Sequence, residues 1–223
     1  MSAKLFVQAI LKFLLGAVLV GLLIFLPAGT FAFWGGWLLM GILFIPMFGA
    51  GIVMMVKNPE LLAKRLNAKE KLGKQQLVVK LSGLMFVAGF VLAGLNFRFG
   101  WYTLPRAVSL VAAVVFLLAY VLYAEVMREN TYLSRTVEVQ EGQKVIDTGL
   151  YGIVRHPMYS TTLLLFLSIP LVLGSLYALP VFLAYPFIIA VRIKSEEAFL
   201  KNELPGYGEY MKKVKYRLIP FIW

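Results

Sequence analysis

The sequence predicts an all-α fold: a polytopic bundle of about six transmembrane helices, the last two forming a short helical hairpin. Hydrophobic residues make up 61% of the 223-residue chain and charged residues 15%, whereas soluble domains average ~45–50% apolar and ~25% charged residues. The apolar excess lies in windows long enough to cross the ~30 Å hydrocarbon core, which takes ~20 residues. We therefore interpret the chain as an integral, multi-pass membrane protein.

Four long apolar segments fill the first half of the chain. They run approximately over Leu5–Leu26, Phe31–Val56, Leu81–Phe97 and Leu104–Met127. The connector at 57–76 contains Asn58-Pro59-Glu60, which has the order of a helix N-cap, an N1 proline and a first-turn acid. This order predicts a short amphipathic helix that lies on the membrane surface.

The last hydrophobic stretch, residues 158–193, has no charged residue before Arg192. A bend at Gly174-Ser175 divides it into two limbs, each close to the shortest length that crosses a bilayer. We therefore divide the chain into residues 1–127, with four spans and their connector, and residues 128–223, with a loop, this hairpin and a C-terminal helix.

The loop charges orient the spans. Six crossings place most basic residues on one side: Lys4; Lys57, Lys64, Arg65, Lys69, Lys71 and Lys74; Arg128, Arg135, Lys144 and Arg155; and Arg192, Lys194, Lys201, Lys212, Lys213, Lys215 and Arg217. The other side receives Arg98 and Arg106. The positive-inside rule therefore predicts cytoplasmic termini and a cytoplasmic active site. Four spans plus a deep hairpin that returns to its own side satisfy the charges equally well.

The composition also excludes several classes of function. The net charge of +11 is explained by cytoplasmic loops that face anionic lipid headgroups, and no soluble patch mixes basic and aromatic residues, so we expect no nucleic-acid partner. The chain has no cysteine and one histidine, and we expect no thiolate chemistry and no catalytic metal site. No sequence feature indicates an oligomeric state.

The single histidine belongs to GLYGIVRHPMYS, residues 149–160. Pro157 fixes its own φ and restricts His156, so Arg155 and His156 project from a rigid turn at the mouth of the hairpin. An arginine that contacts a headgroup and a histidine at the interface are the structural alternative.

Two further polar groups follow the hairpin. Glu196 and Glu197 are either part of a solvated helix end, where Arg192 and Glu196 form an i,i+4 pair, or a carboxylate pair that accepts vicinal hydroxyls or balances a cation. In the tail, Tyr207, Tyr210, Val214 and Arg217 recur at helical spacing. If that helical face only docks on the bundle, Arg217 requires an acidic partner.

The segment between the two halves is polar. Asn130 ends the fourth span, and residues 136–149 alternate apolar and polar side chains around Glu141-Gly142. This pattern predicts a small β-hairpin or an extended loop.

GLYGIVRHPMYS, followed by Glu196-Glu197 and then YGEYMKKVKYRLIPFIW, resembles the motifs of the isoprenylcysteine carboxyl methyltransferase (ICMT) family and its phospholipid methyltransferase relatives. In that family a Gly-x-Tyr-x-x-x-Arg-His-Pro-x-Tyr run precedes Glu-Glu, Tyr-x-x-Tyr and an arginine before Ile-Pro. The order and spacing match over residues 130–223. The first four spans match mainly in being hydrophobic.

The resemblance implies that residues 128–223 form a methyltransferase core with S-adenosylmethionine as the methyl donor. The cofactor-binding residues that it implies are Tyr151, Arg155, His156, Pro157, Tyr159, Glu196, Glu197 and Tyr210. Glu196 and Glu197 are expected to hold the ribose or the amino group. Arg217, Asn130 and Glu197 are the implied catalytic residues, with Arg217 and Asn130 facing the acceptor.

The activity implied by the resemblance is carboxyl O-methylation of an isoprenylcysteine-like or other lipidic or small apolar acceptor. A carboxylate with a pKa of ~3.5 is already ionised and needs an orienting donor, the role we assign to Arg217, rather than a base. Phospholipid N-methylation and small-thiol S-methylation are alternatives, and an amine acceptor would take Glu196, Glu197 or His156 as its base. A sterol reductase-like reaction and a non-enzymatic membrane binding protein are the remaining alternatives.

Overall fold

The computed structural model describes residues 3–66, 73–134 and 136–223. Within these ranges the chain forms nine α-helices, one turn of 3-10 helix and no β-strand, which confirms the all-α fold. The helices are α1 (Ala3–Ala28), α2 (Trp34–Lys57), α3 (Pro59–Leu66), α4 (Gly73–Arg98), α5 (Arg106–Glu129), α6 (Pro157–Val172), α7 (Leu179–Phe182), α8 (Tyr185–Glu203) and α9 (Tyr207–Lys213). Lys69, Lys71, Arg135 and the side chain of Lys74, which belong to the predicted charge pattern, lie outside the described residues.

Among the described helices, α1, α2, α4 and α5 are long and apolar enough to cross a membrane. They contain 24 to 26 residues each, or about 36–39 Å of helix against a ~30 Å hydrocarbon core. Their outer surfaces expose large apolar side chains, among them Leu15, Ile45 and Val121. The protein is therefore an integral, multi-pass membrane protein.

The third span starts earlier than the hydrophobic run suggests. α4 begins at Gly73 rather than at Leu81, because the turn before the apolar run also packs inside the bundle. Gln75 is fully buried there, and its side-chain amide donates a 3.3 Å hydrogen bond to the Arg192 carbonyl oxygen. This contact places the start of α4 against α8.

The C-terminal hairpin extends through the depth of the bundle. After the 16 residues of α6, the turn at Gly174–Ser175 lies against the connection between α4 and α5. The Leu104 N–H donates to the Gly174 carbonyl oxygen at 2.9 Å, and Thr103 forms an isolated antiparallel bridge with Ser175. The hairpin thus reaches the end of the bundle opposite Pro157, which favours six crossings over a hairpin that stops halfway. We call the end that carries Pro157 the site end.

The second limb of the hairpin is not the single helix that the sequence predicts. It consists of the short α7 and, after a break at residues 183–184, α8. Pro180 and Pro186 each stand in the first turn of a helix, where the missing N–H costs little, whereas inside one continuous helix they would remove backbone hydrogen bonds. α8 then continues past the apolar stretch to Glu203.

The structure describes part of each of the two polar connectors. Asn58 caps α3, since its Oδ1 accepts the Leu61 N–H at 3.1 Å, and the predicted short helix is confirmed. The described residues of the segment 130–149 form an extended loop with a turn in which the Gln143 N–H donates to the Gln140 carbonyl oxygen at 3.0 Å. The β-hairpin alternative is wrong for its described residues.

The tail is only partly helical. α9 ends at Lys213, so the helical spacing expected to reach Arg217 is wrong. The backbone N–H groups of Arg155 and His156 donate to the carbonyl oxygens of Tyr216 and Arg217, each at 2.9 Å, and these bonds hold the tail extended beside the Arg-His-Pro turn. The predicted boundary between residues 127 and 128 falls inside the last turn of α5, a helix that packs along α6, and it remains a prediction.

Candidate functional site

The Arg-His-Pro turn is the start of α6. Pro157 occupies the first position of the helix, and the His156 carbonyl oxygen accepts the N–H groups of Tyr159 and Ser160 at 3.0 and 3.2 Å. Because the tail also bonds the backbone of Arg155 and His156, this turn is fixed on both sides. The rigid turn expected from the proline is present at the site end.

The preceding turn explains why residue 149 is glycine. Gly149 has a φ of +52°, and a Cβ atom there would overlap the Glu129 carboxylate. That carboxylate accepts the Leu150 N–H at 3.0 and 3.2 Å, so the last residue of α5 holds the start of the motif. Both the positive φ and the close approach of Glu129 exclude a side chain.

Glu197 is the centre of a buried ionic cluster. Its Oε1 accepts hydrogen bonds from Arg155 Nε at 2.7 Å and His156 Nε2 at 3.2 Å, and its Oε2 accepts one from Arg217 Nε at 2.7 Å. We call these four residues the Glu197 cluster. Glu197 is therefore the acidic partner that Arg217 requires in a structural role. The resemblance had implied a cofactor-binding role for Glu197 and not this ion pair.

The cluster keeps Glu197 ionised. Burial acts to raise the pKa of the carboxyl group, but the hydrogen bonds from His156, Arg155 and Arg217 outweigh it and lower the pKa from 4.5 to about 2. Arg155 is anchored further, since its Nη1 donates to the carbonyl oxygens of Val214 and Lys215 at 2.6 and 2.9 Å. A carboxylate with this pKa is a poor proton acceptor.

Glu196 faces the other way. The Tyr159 hydroxyl accepts a 2.8 Å hydrogen bond from Arg192 Nε and donates a 2.6 Å hydrogen bond to Glu196 Oε2. The two adjacent glutamates therefore separate, because successive residues of a helix point about 100° apart. Glu197 points into the protein, and Glu196 points into a cleft beside the turn.

The cleft has an enclosed volume of about 110 Å³. The Arg-His-Pro turn, α8, α9 and the loop after α5 form its walls. The lining residues are Asn130, Tyr132, Leu133, Ser134, Thr136, Val137, Glu138, Gln143, Lys144, Val145, Ile146, Tyr151, Arg155, His156, Met158, Tyr159, Arg192, Glu196, Leu200, Leu204, Tyr207 and Tyr210.

Tyrosines form much of the cleft's polar surface. The Tyr151 hydroxyl accepts a 3.0 Å hydrogen bond from Asn130 Nδ2, and the Tyr210 hydroxyl donates to the Tyr151 carbonyl oxygen at 2.8 Å. Burial raises the pKa of Tyr151 to about 12 and also raises the pKa of Tyr207 and Tyr210. These phenols therefore stay neutral near pH 7.

The structure brings most of the predicted site residues together in the cleft. The residues that line it are Asn130, Tyr151, Arg155, His156, Tyr159, Glu196 and Tyr210. Pro157, Glu197 and Arg217 are not among the lining residues. Arg217 lies behind the turn, bonded to Glu197 and with its Cζ 5.3 Å from the centre of the Trp223 ring.

Several lining residues were not predicted as site residues. Arg192, Leu200 and Leu204 line the cleft together with the predicted Glu196. Their spacing of four residues is the signal that identifies one face of α8 and of the residue that follows it. Tyr207 was noted only for its helical spacing with Tyr210, and the lining residues of the loop after α5 carry no comparable periodic signal.

α3 also contacts the site, although its sequence indicates only a surface helix. Arg65 donates a hydrogen bond to the Tyr123 hydroxyl, and its Nη1 lies 4.0 Å from Sδ of Met158, a residue of the cleft wall. Lys64 Nζ donates a 2.6 Å hydrogen bond to Gln140 Oε1 in the loop after α5. α3 therefore places a guanidinium group between the membrane helix α5 and the cleft.

Comparison with known proteins gives a family match over part of the chain, and a fold. Residues 106–205 match the phospholipid methyltransferase family. A solved structure of the eukaryotic intramembrane Ras methyltransferase ICMT (isoprenylcysteine carboxyl methyltransferase) superposes with a TM-score of 0.53 at 19% identity, over 95% of this chain and 85% of that one. At this identity the likeness shows the fold.

Two sterol reductases are similar over shorter parts of their length. A delta(14)-sterol reductase of Mus musculus is 30% identical over 91 residues, which are 40% of this chain and 22% of that protein. A delta(14)-sterol reductase of Arabidopsis thaliana is 25% identical over 169 residues, 66% of this chain and 45% of that protein. The chain thus spans less than half the length of these relatives.

Proposed function

We propose that this chain, of which residues 106–205 match the phospholipid methyltransferase family and which has the fold of ICMT, methylates the carboxylate of an isoprenylcysteine-like or other lipidic acceptor with S-adenosylmethionine. One observation carries the proposal. A single cleft at the end of a membrane bundle joins the Arg-His-Pro turn, Glu196 and the tyrosines of α9.

The side chains of the cleft suit the chemical groups of S-adenosylmethionine. The Glu196 carboxylate is an acceptor for ribose hydroxyls or an ammonium group, and the Arg192 guanidinium is a donor for a carboxylate. The faces of Tyr151 and Tyr210 are favourable for a cationic ligand. When bound, S-adenosylmethionine supplies an electrophilic methyl group on a sulfonium cation.

Binding of this ligand requires a displacement of the loop after α5. The enclosed volume of about 110 Å³ is smaller than the ~300–1,000 Å³ of typical small-molecule sites. The other walls are helices, whereas this loop is held by isolated bonds such as Gln140 Nε2 to the Tyr132 carbonyl oxygen, 2.6 Å. We therefore expect the loop to move outward on binding.

The protein's contribution to this reaction is orientation. An ionised carboxylate acceptor needs no base, and alignment of two reactants alone supplies effective molarities of ~10⁵ M or more. The Glu197 cluster acts on this alignment indirectly, because Glu197 and Arg217 fix Arg155 and His156, which line the cleft. We thus assign Glu197 and Arg217 as positioning residues, and Asn130 as the residue that positions Tyr151.

We assign the orienting donor for the acceptor to Arg65 instead of Arg217. Arg65 lies beside Met158 in the cleft wall and beside Tyr123 of α5, so it stands between the lipid-facing helices and the cleft. A lipidic acceptor that enters from the membrane meets this guanidinium before the cleft. Guanidinium–carboxylate pairs are strong and well oriented.

Phospholipid N-methylation is the second candidate, and the family match favours it. An amine acceptor has to lose a proton, and the low pKa of Glu197 makes that residue unsuitable as the base. Glu196 and His156 are the remaining candidates that line the cleft.

We further propose that the site end is cytoplasmic, on the basis of the loop charges. Because the chain has no cysteine, single cysteines introduced by Glu141→Cys and Tyr102→Cys report each face directly. A membrane-impermeant thiol reagent applied to intact cells is expected to label only the Tyr102→Cys protein. Labelling of only the Glu141→Cys protein would reverse the orientation.

Two measurements on detergent-purified protein test the proposed function. Calorimetry is expected to show binding of S-adenosylhomocysteine, and labelled methyl transfer is expected with farnesylcysteine in a panel that also contains phosphatidylethanolamine and an alkyl thiol. Transfer to phosphatidylethanolamine or to the thiol alone would reassign the acceptor. Tight binding of NADPH without binding of S-adenosylhomocysteine would contradict a methyltransferase and support the reductase chemistry named for the sterol relatives.

A further inference from the structure

Tyr207 carries a buried hydroxyl that no described residue satisfies. The residue is only 4% exposed, and its hydroxyl has no hydrogen-bond partner among the described residues. Tyr210, one turn later on α9, donates its hydroxyl to the Tyr151 carbonyl oxygen. Since burial of an unpaired hydroxyl is unfavourable, an orphan of this kind in a cleft indicates a ligand atom.

The surroundings of Tyr207 are apolar. Tyr207, Tyr210 and Leu204 form one hydrophobic cluster, against which Leu200 and Val145 pack. All five residues also line the cleft. This part of the cleft is therefore lined largely by apolar side chains, and the Tyr207 hydroxyl is the one lining atom there that is buried without a partner among the described residues.

The cleft changes character along one face of α8. Arg192 and Glu196 stand at its charged end, and Leu200 and Leu204 at its apolar end. Glu196 and Leu204 are separated by about 12 Å along the helix axis. A ligand with a charged end and a flat apolar end matches this sequence of side chains.

We propose that the Tyr207 hydroxyl binds the hydrogen-bonding edge of adenine, at N1 and the 6-amino group. The adenosyl group then lies with its purine between Leu200, Leu204 and Tyr207 and with its ribose and amino acid toward Glu196 and Arg192. The 6-amino edge lies opposite the bond to ribose, so it is the part of the purine that points away from Glu196. This assignment rests on the proposed function, because it takes S-adenosylmethionine as the ligand.

The test compares two ligands on matched tyrosine variants. S-Adenosylhomocysteine and its 1-deaza analogue, in which a C–H group replaces the acceptor N1, are titrated against the wild type, Tyr207→Phe and Tyr120→Phe. Tyr120 is the control, since its hydroxyl donates to the Leu43 carbonyl oxygen at 3.0 Å, away from the cleft. Thermal unfolding of the ligand-free proteins, with Tyr210→Phe included, is the second readout.

We expect Tyr207→Phe to bind S-adenosylhomocysteine about three- to tenfold more weakly and to lose most of the wild-type preference over the 1-deaza analogue, which has no N1 to accept the hydroxyl proton. Its ligand-free unfolding temperature is expected to stay equal or to rise, because an unpaired hydroxyl is removed. Tyr210→Phe loses a bond to Tyr151 and is expected to unfold at a lower temperature. Tyr120→Phe is expected to bind like the wild type.

Three outcomes would overturn the assignment. The first is unchanged affinity of Tyr207→Phe, and the second is weaker affinity with an undiminished preference over the 1-deaza analogue, which would place the hydroxyl on another part of the ligand. The third is a lower ligand-free unfolding temperature, which would mean that the hydroxyl has a protein partner. If the wild type bound neither ligand, the proposed function itself would be contradicted.

Discussion

The Glu197 cluster and the cleft beside it are built from neighbouring residues, yet they differ in how far the protein satisfies its own polar groups. Both oxygens of Glu197 are bonded to arginine or histidine side chains. In the cleft, the Tyr207 hydroxyl has no partner among the described residues. The fully hydrogen-bonded carboxylate of Glu197 maintains the shape of the site, whereas the unpaired hydroxyl of Tyr207 is the group from which we infer a ligand contact.

The largest expected effect is the loss of stability on removal of the Glu197 carboxylate. We expect Glu197→Ala to lower the free energy of unfolding by about 3–5 kcal/mol, because Arg155 and His156 would stay buried without their acceptor. Glu196→Ala, one residue away, should cost about 1 kcal/mol or less. Thermal unfolding in detergent measures both, and equal shifts in the two variants would refute the distinction.

Glu196 should show the opposite behaviour, with an effect on the ligand instead of the fold. We expect Glu196→Gln to weaken S-adenosylhomocysteine binding about 10- to 100-fold, the equivalent of a lost charge-assisted hydrogen bond, with little change in the ligand-free unfolding temperature. Glu203→Gln, at the exposed end of α8, is the control. If calorimetry found equal affinity of both variants for S-adenosylhomocysteine, Glu196 would be part of a solvated helix end and not a ligand-binding residue.

Arg65 tests whether the acceptor has its own recognition group beyond the cleft. We expect Arg65→Ala to lower kcat/KM for farnesylcysteine about tenfold and to leave S-adenosylhomocysteine affinity unchanged, since only the acceptor meets this guanidinium. Arg65→Lys keeps the charge and should retain part of the activity. A neutral thiol acceptor that lost as much activity as farnesylcysteine would show that Arg65 does not recognise a carboxylate.

The smallest expected effect is a pH dependence of the stability that Glu197 contributes. The pKa of Glu197 falls from 4.5 to about 2 in the folded protein, so its contribution is complete above about pH 4.5 and is lost as the pH falls toward 2. The difference in unfolding temperature between wild type and Glu197→Gln should therefore be constant from pH 7 to 5 and narrow below that. A difference that stays constant down to pH 2.5 would exclude the lowered pKa.

The sequence predicts most residues of the candidate site, but it does not predict which of them face the cleft and which hold the turn in place. The Arg-His-Pro turn is predictable because Pro157 acts on its immediate neighbours. The roles of Glu196 and Glu197 are not, since the direction of each side chain depends on the rotation of α8 against the turn. The position of Arg65 beside the cleft is still harder to predict from sequence, because the residue that it contacts, Met158, is 93 positions away.

Local chemistry determined the membrane spans, the cap of α3, the rigid turn and the order of the motifs. Each depends on hydrophobic length or on neighbours within one helical turn. The packing of distant segments set the extended course of the tail beside the turn and the pairing of Arg217 with Glu197 behind the cleft, and it left the Tyr207 hydroxyl without a partner among the described residues. Such pairings join distant segments, so they are set by how the helices pack and not by any one stretch of sequence.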